Sequence, residues 1–372
     1  MATERPRSTT PTEQLISYET YWRDHQKWLA DQGYLLRPRY MPDWVPSWRT
    51  SKKHRYFCED FYHFQVSQFR QFIDATRSSD GALVALKRVS KSIHPFEVDI
   101  AKYLSSDPLS SDPHNHCVPV IEVLQVPDDE DTLLLVMPFL RPFDDPRFDT
   151  VGEAVAFFQQ VFQGLQFLHS HFVAHRDNNE MNIMLDPTNL YPDSFHPVRQ
   201  ERKRNYKRGA KYYTRTQRPP KYYFIDFGIS RRYKPEDMPP NEEIIVGGDS
   251  SAPEFQEANM DRTNDMCNPF PTDIYYLGNM IRQNFIQNRY GFEFMEPLVA
   301  DMVQDDPSKR PTIDEAMTRF TEIRNSLSSW KLRSRVVEKE DVAFYGFFRA
   351  IAHWRRRIWF ILRRVPAVPL PP

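Results

Sequence analysis

The sequence predicts a mixed α+β protein in which a small strand-rich part precedes a larger helical part. Three observations carry this. Apolar runs on either side of Ser79-Asp80-Gly81 read as two strands joined by a tight turn, spanning Arg70 to Val89. After Thr150 the apolar residues recur at helical spacing, behind Thr-x-x-Glu caps that start at Thr150 and at Thr312. With 372 residues and 40% hydrophobic content, the chain can bury a full core, enough for one two-part domain with extensions.

Taken in order, residues 1 to about 12 are rich in Thr and Pro and read as disordered. The next stretch, to Thr50, crowds Tyr18, Tyr21, Trp22, Trp28, Tyr34, Tyr40, Trp44 and Trp48 among Pro38, Pro42 and Pro46. Leu15, Tyr18, Trp22 and Leu29 approximate a helical stripe. A partner-binding surface and a leader packed on the domain both fit; large aromatics are usually buried, which favours packing. After the hairpin, Pro95 opens a predicted helix, with Ile93 and Val98 as a hydrophobic staple and Glu97 in the first turn. His114-Asn115-His116-Cys117 holds metal-ligand types, but ligands this close need a fourth group from elsewhere to close a tetrahedral site. A plain connection is the expectation there. Thr132 to Val136 is a short apolar strand, and the helix capped by Thr150 carries Val155, Phe158, Phe162, Leu165 and Leu168 before ending near His169.

A basic stretch follows, with Arg199, Arg202, Lys203, Arg204, Lys207, Arg208, Lys211, Arg215, Arg218 and Lys221 interleaved with Tyr206, Tyr212 and Tyr213. Nucleic acid, an acidic protein surface or a phosphorylated substrate could be attracted, but a charge run alone reads first as a solvated, mobile loop. The helix behind Thr312 turns Ala316, Phe320 and Ile323 inward. The tail sets Phe344, Phe347, Phe348, Ile351, Trp354, Ile358, Trp359 and Ile361 among Arg349, Arg355, Arg356, Arg357, Arg363 and Arg364. Arginines in its middle argue against a membrane span; a helix lying on a membrane surface and one packed on the helical part both fit, with packing expected for so much aromatic surface. Val365 to Pro372 is an extended, proline-rich end.

The chemistry concentrates in His175-Arg176-Asp177-Asn178-Asn179-Glu180-Met181-Asn182 and in Asp226-Phe227-Gly228. Two carboxylates and a carboxamide in this order can hold a hydroxyl and two metal ions round one phosphoryl group. Singly, each would stabilise a turn. As an ordered set they resemble the eukaryotic protein kinases, whose catalytic loop reads HRDxxxxN and whose metal loop reads DFG. Val84-Ala85-Leu86-Lys87 is similar to the family's VAIK strand, Ala252-Pro253-Glu254 to its APE, Asp273 to Gly278 to its DxxxxG, and Arg310 to the arginine that follows them. Leu35 to Tyr40 and Trp44 to Trp48 also look like the leaders of kinase-like proteins from basidiomycete fungi.

The resemblance implies a two-lobed protein-kinase-like fold. A small β-rich N-lobe would run from about 55 to 140 and a larger helical C-lobe from about 141 to 330, with an aromatic-rich extension (1–54), a basic insertion (about 186–221) and a basic, aromatic tail (331–372). It implies transfer of phosphoryl from ATP to a protein hydroxyl, Ser or Thr before Tyr, with Mg²⁺ as cofactor. In that picture Asp177 is the base, Asn182 and Asp226 hold the metal, and Lys87 paired with Glu97 holds the phosphates beside Ala85. Met137, Pro138 and Leu140 stand at the gatekeeper and hinge, and Met184 floors the adenine. Asp273 would brace the catalytic loop from a helix running to about Asn288, Glu254 with Arg310 would anchor the activation segment, and Ser230, Tyr233, Ser250 and Ser251 are its hydroxyl candidates. After Arg289 the family's substrate-side helices look truncated.

Two departures matter. No G-x-G occurs, and no glycine stands between Gly33 and Gly81, where kinases place a phosphate-covering loop. The residues around Phe61, Phe64 and Phe69 must then cover a nucleotide differently. Asn179 stands where Ser/Thr kinases carry a lysine, a lost charge worth on the order of a hundredfold in rate. A pseudokinase, or nucleotide-binding scaffold, is therefore the alternative. The net charge of −1 names no partner. Cys58, Cys117 and Cys267 are odd in number and far apart, and the start lacks an apolar run, so an intracellular chain, cytoplasmic or nuclear, with no transmembrane segment is expected.

Overall fold

A computed structural model describes residues 14–61, 70–244, 248–256 and 266–370. The chain is mixed α+β, 40% helical and 15% strand, with its longest strands gathered in one curled antiparallel sheet. The predicted disordered start, Phe64 and Phe69 lie outside the described residues. The chain divides into two compact units and crosses between them after Lys91, Pro119, Phe139, Leu190 and Lys211.

The first unit comprises Met1–Lys91, Val120–Phe139 and Tyr191–Lys211. It holds α1 (Ser17–Asp24), α2 (Gln26–Asp31), β1 (Tyr34–Leu35), β2 (Phe72–Arg77), β3 (Leu83–Ser90), β4 (Glu122–Gln125) and β5 (Thr132–Pro138). The sheet order is β1-β2-β3-β5-β4. The hairpin turn forms where predicted: Asp80 Oδ1 accepts the N–H of Ala82 at 3.0 Å, and Gly81 takes φ +72°, open to glycine at no steric cost. One sheet face presents Ile73, Ala75, Val84, Leu86, Leu134 and Val136, and the leader covers it with Trp22, Leu29, Tyr34, Leu36 and Tyr40. Packing is thus the leader's role here. Two of its buried carboxylates are matched inside: Arg39 grips Glu19 at 2.6 and 2.9 Å, and Asp60 accepts from Trp44 Nε1 at 3.0 Å and Ser47 Oγ at 2.6 Å.

The part of the basic insertion in this unit is folded rather than loose. Lys203 N–H donates to Arg208 O at 2.7 Å and His196 N–H to Arg202 O at 2.8 Å. Much of its charge is spent internally: Lys203 pairs with Asp193 at 2.8 Å, Arg199 with Glu201 at 2.6 Å, and Arg204 donates to Gly81 O and Thr76 Oγ1 at 2.6 and 2.7 Å. His196, Glu59, Arg37 and Asp74 form a chain with contacts of 3.1, 3.0 and 2.8 Å. The mobile-loop expectation is overturned: beside its local pairs, the segment is tied down by Arg204 on Gly81 and Thr76 and by His196 on Glu59, partners 123, 128 and 137 positions away. Lys207, Arg208 and Lys211 stay exposed.

The second unit comprises Ser92–Pro119, Leu140–Leu190 and Tyr212–Pro372. Its elements are α3 (Glu97–Leu104), β6 (Arg141–Pro142), α4 (Val151–Ser170), β7 (Val173–Ala174), β8 (Ile183–Leu185), β9 (Tyr222–Phe224), β10 (Arg231–Arg232), α5 (Pro269–Ile281), α6 (Glu296–Met302), α7 (Ile313–Ser326), α8 (Ser329–Leu332) and α9 (Ala343–Leu362). α4 is the central helix: Phe157, Phe158 and Phe162 are fully buried and meet Phe143, Phe285 and Phe320 at ring distances of 4.9, 4.7 and 5.0 Å. Such buried ring pairs add about 0.5–1.5 kcal/mol each beyond area burial. After α5 the chain widens into one π-helical turn, Arg282–Gln287, which carries Phe285 into this cluster.

Helix ends refine the sequence reading. α7 has the complete box, with Glu315 N–H on Thr312 Oγ1 at 3.3 Å and Thr312 N–H on Glu315 Oε2 at 2.8 Å. α4 has half of one. Thr150 Oγ1 accepts from Glu153 N–H, but the buried Glu153 carboxylate takes Asp149 N–H at 2.7 Å and both Thr216 donors at 2.8 Å. α3 starts at Glu97 rather than Pro95, and Ile93 is 71% exposed, so the predicted staple is not the device that starts it.

The tail departs most from expectation. α9 turns inward His353, Arg357 and Phe360, while Phe344, Phe347, Phe348, Ile351, Trp354 and Ile358 face outward. Electrostatics chooses this face: Arg356 takes Asp149 in two hydrogen bonds of 2.9 and 2.8 Å, His353 stands 3.4 Å from the same carboxylate, and Arg357 stacks 3.8 Å over Trp330. Beyond α9 the extended end passes so close to α4 that a Cβ on Gly152 would lie 1.9 Å from Ala367 O.

Candidate active site

The His175–Asn182 loop leaves β7, which pairs with β10 through Ala174↔Arg231 and Val173↔Arg232. Its start is braced by Asp273. Buried Asp273 on α5 accepts the N–H groups of His175 and Arg176 at 2.8 and 2.6 Å, and its carbonyl accepts Asn178 Nδ2 at 2.9 Å. His169 Nε2 stands 3.0 Å from the same carboxylate. These bonds keep Arg176 at φ +70°, a left-handed conformation that costs a non-glycine residue about 1–3 kcal/mol and persists only when its surroundings over-determine it. Asp226 also takes a left-handed φ, +64°.

Asp177 leaves this braced loop with both carboxylate oxygens engaged. Oδ1 accepts from Asn179 Nδ2 at 2.7 Å and from Asp249 N–H at 3.0 Å; Oδ2 accepts from Asn182 Nδ2 at 2.8 Å. Burial pushes its pKa up, and the nearby Asp226 charge adds to this; the Asp249 N–H, His175 and Asn179 pull down without cancelling the rise. A half-buried carboxylate with a raised pKa near a second carboxylate is a common signature of acid–base sites. Asn182 also donates Nδ2 to Asp177 O at 2.8 Å, which leaves its amide oxygen as the atom for a metal.

His175 couples the two motifs. Its Nδ1 accepts Asp177 N–H at 3.3 Å, which assigns the proton to Nε2, 3.1 Å from Ile225 O just before Asp226. The ring lies 5.2 Å from that of Phe227. At Gly228 three groups converge: an added Cβ would sit 3.1 Å from Asp226 Oδ1, 3.2 Å from His94 Nδ1 and 3.3 Å from Glu97 Oε2. Glycine is what lets them meet there.

The remaining candidates sit as follows. Ala85 and Lys87 share the sheet face opposite the leader, across from Met137 and Leu135 on β5. Lys87 is buried, with Nζ 5.5 Å from the Phe72 ring centre. Glu97 is buried in the second unit, where it opens α3. Pro138 ends β5, and Leu140 is buried as the second unit begins. Met184 lies on β8 opposite Pro142 and Tyr223.

Downstream, Arg310 grips Glu254 with two bonds of 2.7 Å, and Thr272 Oγ1 adds one of 2.8 Å. Burial pushes the Glu254 carboxyl up, but Arg310 outweighs it and the net pKa is lowered. Of the hydroxyl candidates, Ser230 is fully buried and donates to His175 O at 2.9 Å, so its role is structural; Ser250 is exposed. The His114–Cys117 stretch is a connection: His116 Nδ1 meets Tyr222 O at 2.8 Å, burial lowers its pKa to about 4, and burial pushes the Cys117 thiol up. Among the described residues no group of three or more His, Cys, Asp or Glu is placed to hold a metal ion.

The sequence reading missed Gly248 and Asp249. Gly248, at φ +72°, lies where a Cβ would come within 3.2 Å of the Asp177 carboxylate, and Tyr276 Oη donates to Asp249 O. The Gly247-Gly248 pair was the available signal, since adjacent glycines mark close backbone approach. No protein-family model matches the chain, and no curated protein matches it.

Proposed function

We propose that the chain is a protein-kinase-like phosphotransferase that moves phosphoryl from Mg-ATP to a protein hydroxyl, Ser or Thr before Tyr. The observation that carries this is the Asp273 brace, which presents Asp177 from a strained loop as a desolvated carboxylate of raised pKa. The two units would serve as the two lobes of that fold. Asp177 would orient the acceptor hydroxyl and take its proton; a raised pKa makes it the better acceptor. Asn179 and Asn182 fix its rotation, and Asp249 N–H gives way to the incoming hydroxyl. The donor set of Asn182 and Asp226 is all oxygen and leaves positions for phosphate and water, which suits Mg²⁺. Bound there, Mg²⁺ would neutralise charge on the phosphates. The nucleotide-binding candidates are Ala85, Lys87, Met137 and Pro138 in the first unit and Glu97, Leu140 and Met184 in the second. Three free thiols support an intracellular setting.

A second reading, a nucleotide-binding scaffold, has its own support: both Asp177 oxygens are already engaged, and Asn179 brings no charge. The test measures ATP binding with Mg²⁺ and with chelator, and phosphate transfer to itself and to protein panels. Tighter binding with Mg²⁺, lost in Asp226→Asn, together with transfer abolished by Asp177→Ala, supports the enzyme. Equal affinity in Mg²⁺ and chelator removes the metal site from both readings. Mg-dependent binding without transfer assigns the scaffold.

A further inference from the structure

We infer that α9 docks on a membrane surface carrying anionic lipid, independently of the proposed reaction. An amphipathic helix packed on its own domain normally turns its apolar stripe inward. α9 does the reverse. Phe347, Trp354, Ile358 and Leu362 are 63, 48, 54 and 77% exposed, and Phe344 and Ile351 continue the same stripe along successive turns. The inward side is held by His353, Arg357 and Phe360, so the outward stripe is free while the helix stays anchored.

Charge identifies the occupant. Carboxylates end at Asp341: from Val342 to Pro372 there is no Asp or Glu. Arg349, Arg356 and Arg363 recur two turns apart on the side of α9 away from the stripe, while Arg355 stands within the exposed face beside Phe344 and Leu362, and Arg364 is exposed just past the helix. Arg349 reaches Asp341 and Arg356 is committed to Asp149, which leaves Arg355, Arg363 and Arg364 for an outside anion. A second copy of the helix would set arginine against arginine with no carboxylate between them. A lipid surface instead takes the apolar stripe at the acyl boundary, the arginines at the phosphates and Trp354 and Trp359 at headgroup level. Arg355, inside the stripe, can extend its stem along the apolar surface and keep its charge in the headgroups. Among the described residues no helix is long and apolar enough to cross a membrane, so the mode is lying on the surface.

The test is co-sedimentation of the chain with phosphatidylcholine vesicles, with and without phosphatidylserine. Binding should require phosphatidylserine and weaken as salt rises. Phe347→Glu with Ile358→Glu, both on the exposed face, should cut binding tenfold or more while leaving the melting temperature unchanged. Arg355→Glu with Arg363→Glu should cut it tenfold or more on the anionic vesicles. No binding to anionic vesicles at low salt overturns the inference, as does binding that these variants leave unchanged. A dimer in light scattering that Phe347→Glu dissociates would also overturn it, assigning the face to self-association.

Discussion

The side-chain amide of Asn179 donates to Asp177 Oδ1 at 2.7 Å, while its oxygen accepts the N–H of Met181 at 2.8 Å. One residue therefore aims the carboxylate and caps the short turn that delivers Asn182. A lysine in its place would bring positive charge toward a transferring phosphoryl and give up the cap.

This sets opposite expectations for rate and stability in Asn179→Lys. Transfer should rise by about tenfold or more, with nucleotide affinity nearly unchanged, because the new charge meets the transition state more than the ground state. Stability should fall by about 1 kcal/mol through the lost cap. Asp177→Ala should abolish the gain. Steady-state kinetics and urea unfolding check both; a variant that binds Mg-ATP as wild type does and still transfers nothing counts for the scaffold.

Acid should loosen the tail through Asp149. Burial acts to raise its pKa, but the bonds and charges of His353 and Arg356 prevail and hold it at about 2, against an ordinary 3.8. A carboxyl depressed in the folded state contributes stability that is fully present above its unfolded pKa and lost as pH falls through the folded one. Asp149→Asn should therefore lower the melting temperature by a few degrees at neutral pH, with the gap closing between about pH 4 and about pH 2. A gap undiminished at the acid end would mean that packing, not charge, holds α9.

Trp22 is 1% exposed on the covered face of the sheet. Trp22→Ala should cost about 3–5 kcal/mol, and deletion of residues 1–50 should lower the melting temperature further. Chemical unfolding monitored by circular dichroism decides it. An unchanged midpoint would return the leader to the role of a partner-binding surface.

What the sequence determined by itself was local. The turn at Ser79-Asp80-Gly81, the cap at Thr312 and the helical run from Thr150 depend on chemistry within a few residues, and all are present. The grouping of Asp177, Asn179 and Asn182 was legible because the three lie within six positions and bond one another. Burial of the leader was legible too, since rings of that size are costly to expose. Tertiary structure decided what depends on distant partners. Asp249 reaches Asp177 across 72 positions, Arg204 reaches Thr76 across 128, and Arg356 reaches Asp149 across 207. Periodicity says that α9 has an apolar stripe; its distant partners, Asp149 under Arg356 and Trp330 under Arg357, determine that the stripe faces out. A pattern within a helix fixes which residues share a side, and the partner across the fold fixes which side is buried.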